Sequence, residues 1–301
     1  MSSFRGPRRL VAASGVILAL LAFPAPARAD NGTPTTGTYA PKGAPPTTAG
    51  KSTAKVAAAL TASGNYYSYN DGLQDVVGTG VWANVYIAQP TVDAQDAHSL
   101  GEIAVIKKSN DLRQMIEVGW TVDNFVWGDG LPHLFVYHWV NGVATCYNGC
   151  GWVAADSATV KVGDVLPALT AKKFEIHYNA DDANGPNWGV YYDGALIGWF
   201  PATLWTGASP AVTDFTSTDQ VQVFGEVASA TEKPCTDMGT GTPGSKAALP
   251  AAYFGSATLI NGASATSLTS LVQPATASPD YYSMYMAPSN RTFFYGGPGY
   301  C

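Results

Sequence analysis

The sequence predicts an all-β protein, an antiparallel β-sandwich of two packed sheets with one concave face, and three observations predict it. From Tyr66 onward, short runs rich in Val, Ile, Trp, Tyr and Phe are separated by clusters of Gly, Asp, Asn and Pro, the pattern of half-buried strands punctuated by turns. No amphipathic helix of ordinary length appears after residue 29. The roughly 235 residues from Tyr66 to the end are enough for one large core of this kind.

The chain opens with Arg5, Arg8 and Arg9, an apolar run from Leu10 to Ala22, and FPAPARA ending in Ala27-Arg28-Ala29. Residues 1–29 read as a secretory signal peptide cleaved before Asp30. The apolar run is too short to span a bilayer, which needs about 20 such residues. Residues 30–64 are rich in Thr, Pro, Gly, Ala and Ser, and such a segment cannot bury enough surface to offset its ordering entropy. They read as a flexible linker or short pro-segment, in which only residues 51–63, KSTAKVAAALTAS, have the composition for a helical turn or two.

Residues 65–301 read as the folded domain. Within it VWANVYIAQ, EIAVIKKS, RQMIEVGWTV, HLFVYHWV, KFEIHY, WGVYY, ALIGWF and DQVQVFGEVAS are the expected strands. Between WGVYY and ALIGWF stands Asp193-Gly194, the dipeptide that best specifies a two-residue hairpin turn.

Loss of the first 29 residues removes four arginines and no acids, taking the net charge from −6 to −10. Nucleic acid and anionic membranes need a basic patch, so both are excluded as partners. A secreted monomer is the expectation. Four cysteines in an exported chain imply two disulfides. Asn148-Gly149 makes the tight turn that brings Cys146 to Cys150, leaving Cys235 with Cys301.

Two strands carry a carboxylate where alternation places it opposite the apolar set. In RQMIEVGWTV, Ile116, Val118, Trp120 and Val122 share one face and Glu117 lies on the other, with Met115 and Gly119. In VQVFGEVAS, Val221, Val223 and Val227 share one face and Glu226 lies on the other, with Gln222 and Phe224. A lone Glu on a strand is ordinarily a wet surface residue. Two of them, each beside a Gly that opens room for a ligand backbone, pose a sharper question although they are 109 positions apart.

IEVGWTV, WGDGLPHLFVYHWVNGVATCYNGCGWV, NWGVYYDGALIGWFPATLW, FGEVAS, PCTDMGTG and the terminal FFYGGPGYC, in that order, resemble the neprosin family of glutamic peptidases over roughly residues 66–301. The resemblance implies a secreted β-sandwich endopeptidase with Glu117 and Glu226 as catalytic dyad, Glu226 as general base and Glu117 as acid. It also implies cleavage after proline in peptide or protein substrates. Two close glutamates share one proton over a range of pH, which at acid pH supplies a base for water and an acid for the carbonyl without metal or other cofactor. Two features depart from the family. Plant members carry a folded prodomain where this chain has about 35 residues of low complexity, and the cysteine loop is one residue tighter than C-Y-N-x-x-C.

Trp120, Trp188, Tyr191 and Trp199 are candidate walls for a proline ring, although each taken alone is better suited to core packing, and Gln222 is a candidate to position water. The histidines His98, His133, His138 and His177 offer no metal-ligand spacing. Two rival readings use the same residues: a non-catalytic sandwich that binds polysaccharide on an aromatic platform, and a glycoside hydrolase acting through both carboxylates.

Overall fold

Sixteen strands, the longer ones built on period-two alternation of Val, Ile and aromatic residues, form among the described residues of the computed structural model, which are Lys42, the backbone of Ala59–Leu60, and residues 65–109, 112–206, 215–271, 280–287 and 291–301. The signal peptide and, apart from those three residues, the segment 30–64 lie outside the described residues. In chain order the strands are β1 (Ala59–Leu60), β2 (Tyr66–Gly78), β3 (Gly80–Ile87), β4 (His98–Ser109), β5 (Leu112–Asp123), β6 (His133–Val140), β7 (Val143–Ala144) and β8 (Val153–Ala154). There follow β9 (Thr170–Asn179), β10 (Asn187–Tyr192), β11 (Ala195–Pro201), β12 (Thr218–Ser229), β13 (Ala252–Asn261), β14 (Ser264–Ser267), β15 (Ser283–Met286) and β16 (Thr292–Gly296).

Two antiparallel sheets result. One has the order β1-β2-β12-β4-β5-β6-β7, the other β15-β16-β13-β3-β9-β10-β11-β8 with β14 beside β13. Between them lies the main core, to which Ile103, Val105, Ile116, Val118, Trp120, Val221, Val223, Phe174 and Ile176 all contribute wholly buried side chains. The hairpin at Asp193-Gly194 forms with both residues at positive φ, 50° and 86°, joining Tyr192 to Ala195. Both disulfides pair as expected, Cys146–Cys150 with Cα atoms 5.8 Å apart and Cys235–Cys301 with 5.1 Å.

Three local expectations are corrected. Of residues 51–63 only Ala59–Leu60 are described, and there the backbone pairs with Tyr67 and Tyr66 as a short strand in place of a helical turn; the rest of that stretch lies outside the described residues. The longest strand, β2, was not expected, because Asn70-Asp71-Gly72 has the composition of a turn. The segment stays extended because β12 hydrogen-bonds along its whole length, Asn70 donates to the Ser283 carbonyl at 2.8 Å, and a side chain at Gly72 would press on Phe293. The third correction concerns the outer face of the first sheet, which is not wet: β12 is buried on both faces, and Phe224, Phe135, Tyr137 and Trp139 form a second apolar cluster there.

Candidate active site

Register decides which side chains meet on that second face. In an antiparallel pair, residues directly opposite point to the same side. Glu226 of β12 is opposite Leu100 of β4, and Phe224 is opposite Glu102. Glu102 is in turn opposite Gly119 of β5, and Ala104 is opposite Glu117, which faces Tyr137 of β6. Three glutamates from three neighbouring strands therefore share one patch, with Glu102 on the strand between the other two.

All three converge on one cation. The Lys42 ammonium lies 2.5 Å from Glu102 Oε1, 3.6 Å from Glu117 Oε2 and 3.6 Å from Glu226 Oε2, every one of these side chains wholly buried. Phe135 and Phe224 flank it, with ring centres 5.2 and 5.4 Å from Nζ, close enough for cation–π attraction. Burial by itself would pull the lysine pKa down, but Glu102, Glu117 and Glu226 together outweigh it and hold the group protonated.

The carboxylates feel the opposite pressure. Burial pushes the Glu117 carboxyl up to about 7, opposed by Lys42, helped by Glu226, and opposed further by the Trp139 indole and Arg113. Neither Glu117 oxygen has a well-formed hydrogen bond among the described residues. Burial, then Glu117, pushes Glu102 well above the usual carboxylate range. Glu226 is held differently: its Oε1 lies 2.9 Å from His98 Nε2, while Oε2 is the oxygen turned toward Lys42.

The other sequence candidates fall elsewhere. Trp120 and Trp188 belong to the inter-sheet core, where their indole N–H groups donate to the Tyr86 and Phe215 carbonyls at 3.0 and 2.7 Å. Tyr191, on the second sheet, stacks on His177 at 4.6 Å between ring centres. Gln222 shares the face of Glu226 but donates to Gln220 Oε1 at 3.0 Å. The glycines do not open room for a ligand either. A side chain at Gly119 would strike Gly101 and Glu102, and one at Gly225 would strike Tyr295 in the core. The aromatic walls beside the glutamates are Tyr69, Phe135, Tyr137, Trp139 and Phe224.

Glu102, Lys42 and His98 were not singled out from sequence. Glu102 carried a readable signal, since alternation along His98–Ser109 sets it on the face of His98, Leu100 and Ala104, opposite Ile103 and Val105. Lys42 carried none, lying in a low-complexity stretch.

A family model described as Neprosin matches residues 95–298, while no curated protein matches the chain. Among solved structures, two of scytalido-glutamic peptidase with transition-state analogs align over 77% of this chain and 98% of that one, at 8% and 9% identity and TM-scores of 0.39 and 0.41. SCP-B, an Eqolisin-family peptidase in complex with the tripeptide Ala-Ile-His, aligns over the same shares at 9% identity and a TM-score of 0.38. The family assignment rests on the model match, which spans both Glu117 and Glu226 and most of the sandwich: the chain belongs to the neprosin family, the family of glutamic peptidases that its motifs resemble.

Proposed function

We propose that the chain is a secreted endopeptidase that cleaves after proline at acid pH, with Glu117 and Glu226 acting on water and the peptide carbonyl. The observation that carries this reading is that two carboxylates 109 positions apart in sequence both turn one oxygen to the same point, 3.6 Å from the Lys42 nitrogen. Sheet register, not sequence proximity, builds that convergence.

The chemistry follows from the unequal surroundings of the two groups. Glu117, pushed up to about 7 by burial above all, carries a proton at acid pH and donates it to the carbonyl oxygen. Glu226 takes a proton from water as the new C–O bond forms. On collapse the C–N bond breaks and the amine leaves with the proton from Glu226. The hydroxyl of the former carbonyl returns the other proton to Glu117, and both groups are restored. A proline ring finds apolar contacts on Phe135, Tyr137, Trp139 and Phe224.

Lys42 occupies the space this reaction needs. Within the same proposal, residues 30–64 are a short pro-segment that keeps the enzyme latent through Lys42, whose ammonium stands where water and carbonyl must meet. The test is digestion of a proline-containing peptide library by the full chain, by Lys42→Ala, and by Lys42→Ala combined with Glu117→Gln or Glu226→Gln. New termini after proline, stronger in Lys42→Ala and lost with either Gln, support the reading. A folded Lys42→Ala protein that cuts nothing between about pH 3 and pH 7, the range in which a shared carboxylate proton is useful, overturns it.

A further inference from the structure

His98 and Asp123 are direct cross-strand partners on β4 and β5, two residues along from the row that holds Glu226. The imidazole is wholly buried, with Nε2 2.9 Å from Glu226 Oε1 and Nδ1 3.5 Å from Asp123 Oδ2. Among the described residues three ionisable groups face it from the neighbouring strands: Glu226 from β12, Asp123 from β5, and Tyr67 from β2, whose ring lies 6.4 Å away. Among the described residues Glu117 has no counterpart to this partner, both of its oxygens lacking a well-formed hydrogen bond.

We propose that His98, backed by Asp123, is a positioning residue that makes the two glutamates unequal: it holds Glu226 as the ionised base by occupying Oε1 and turning Oε2 to the reacting water. The proposal rests on the peptidase reading and deepens it, since it explains which glutamate takes which role. With both ring nitrogens protonated, the imidazolium donates to Glu226 from Nε2 and faces Asp123 through Nδ1. Burial works against that charge, but Asp123 and Glu226 outweigh it and raise the His98 pKa. Two carboxylates bracketing one buried imidazole are the arrangement that keeps it charged.

A purely structural histidine makes a different prediction from a positioning one. The experiment measures kcat and KM against pH for the secreted wild type and for His98→Gln, His98→Ala, Asp123→Asn and Glu226→Gln, with His98 ring signals followed by NMR. Glutamine keeps a donor for Glu226 and removes the cation. A cation at hydrogen-bond distance lowers a carboxylate by about 1 to 3 pH units, so the acid limb of the His98→Gln profile moves upward by about one unit. kcat falls about tenfold, short of the 10²- to 10⁴-fold that loss of the base itself costs, while KM stays within about twofold. Asp123→Asn moves the same limb less far, and Glu226→Gln lowers the His98 titration midpoint.

An active wild type with an inactive Glu226→Gln, together with a His98→Gln profile that superimposes on wild type, overturns the proposal and leaves the peptidase reading standing. A Glu226→Gln variant that cleaves as well as wild type, or a folded Lys42→Ala protein that cleaves nothing, overturns both. If His98→Gln fails to fold, the NMR titration decides: a His98 midpoint unchanged in Glu226→Gln contradicts the proposal.

Discussion

Lys42 Nζ donates to Glu102 Oε1 at 2.5 Å with both side chains wholly buried, so the patch of three glutamates on the outer face of the first sheet is closed by one residue from the segment that precedes the strands. Breaking a buried pair by removing one partner costs about 3 to 5 kcal/mol, because the remaining charge stays uncompensated. Here the remaining charges are three carboxylates that repel each other. Lys42→Ala should therefore lower thermal stability near pH 8 and recover much of the loss near pH 4, where burial keeps Glu117 and Glu102 protonated. Scanning calorimetry at the two values measures the difference; equal losses at both would contradict the ion-pair account.

The raised carboxyl of Glu117 sets the pH dependence of the folded state. Its pKa is pushed from 4.5 up to about 7, by burial chiefly, so the folded chain binds this proton more tightly than the unfolded chain does. That contribution is fully present below 4.5 and is lost as pH rises through about 7. Glu102 is shifted in the same direction and adds to the slope. Urea midpoints between about pH 4 and pH 8 should fall as pH rises, and Glu117→Gln should flatten the curve.

The two tryptophan environments predict opposite phenotypes. Trp120 is wholly buried between the sheets, and its truncation to Ala should cost about 3 to 5 kcal/mol of stability. Trp139 stands on the outer cluster near Glu117. Trp139→Phe should leave the fold intact and raise KM for proline-containing peptides several-fold. Chemical denaturation and steady-state kinetics of the two variants separate a core residue from a substrate wall.

The Cys235–Cys301 bridge closes a long loop, with a sequence separation of 66. Chain-entropy arguments give such a bridge about 4 kcal/mol. Cys301→Ser should lower the urea midpoint accordingly while leaving the pH profile of cleavage in place, because neither cysteine neighbours the glutamates.

The strands and the site were legible to different degrees, for physical reasons. Eight strands, the Asp193-Gly194 turn and both cysteine pairs follow from alternation, turn chemistry and spacing. Alternation also put Glu117 and Glu226 off the inter-sheet core. It did not reveal that their own face is dry. HLFVYHWV is apolar or aromatic at nearly every position, so the outward set Phe135, Tyr137 and Trp139 could not be told from the core set Leu134 and Val136. The run EIAVIKKS makes Glu102 the first residue of its strand, but the strand begins at His98, which moves Glu102 from an edge to the middle of the patch. Lys42 offers no local pattern, since its partners lie 60 or more positions away and only the folded sheet brings them together.

In the proposed function Glu117 and Glu226 together hydrolyse peptide bonds. The most direct measurement is mass spectrometry of a mixed peptide library digested at acid pH by the secreted protein, by Glu117→Gln and by Glu226→Gln, with circular dichroism to establish that all three are folded. Single removal of a general acid or base costs about 10²- to 10⁴-fold. The account predicts new termini after proline from wild type and a loss of that order or more from each variant. Cleavage that survives either substitution at the wild-type rate would contradict it.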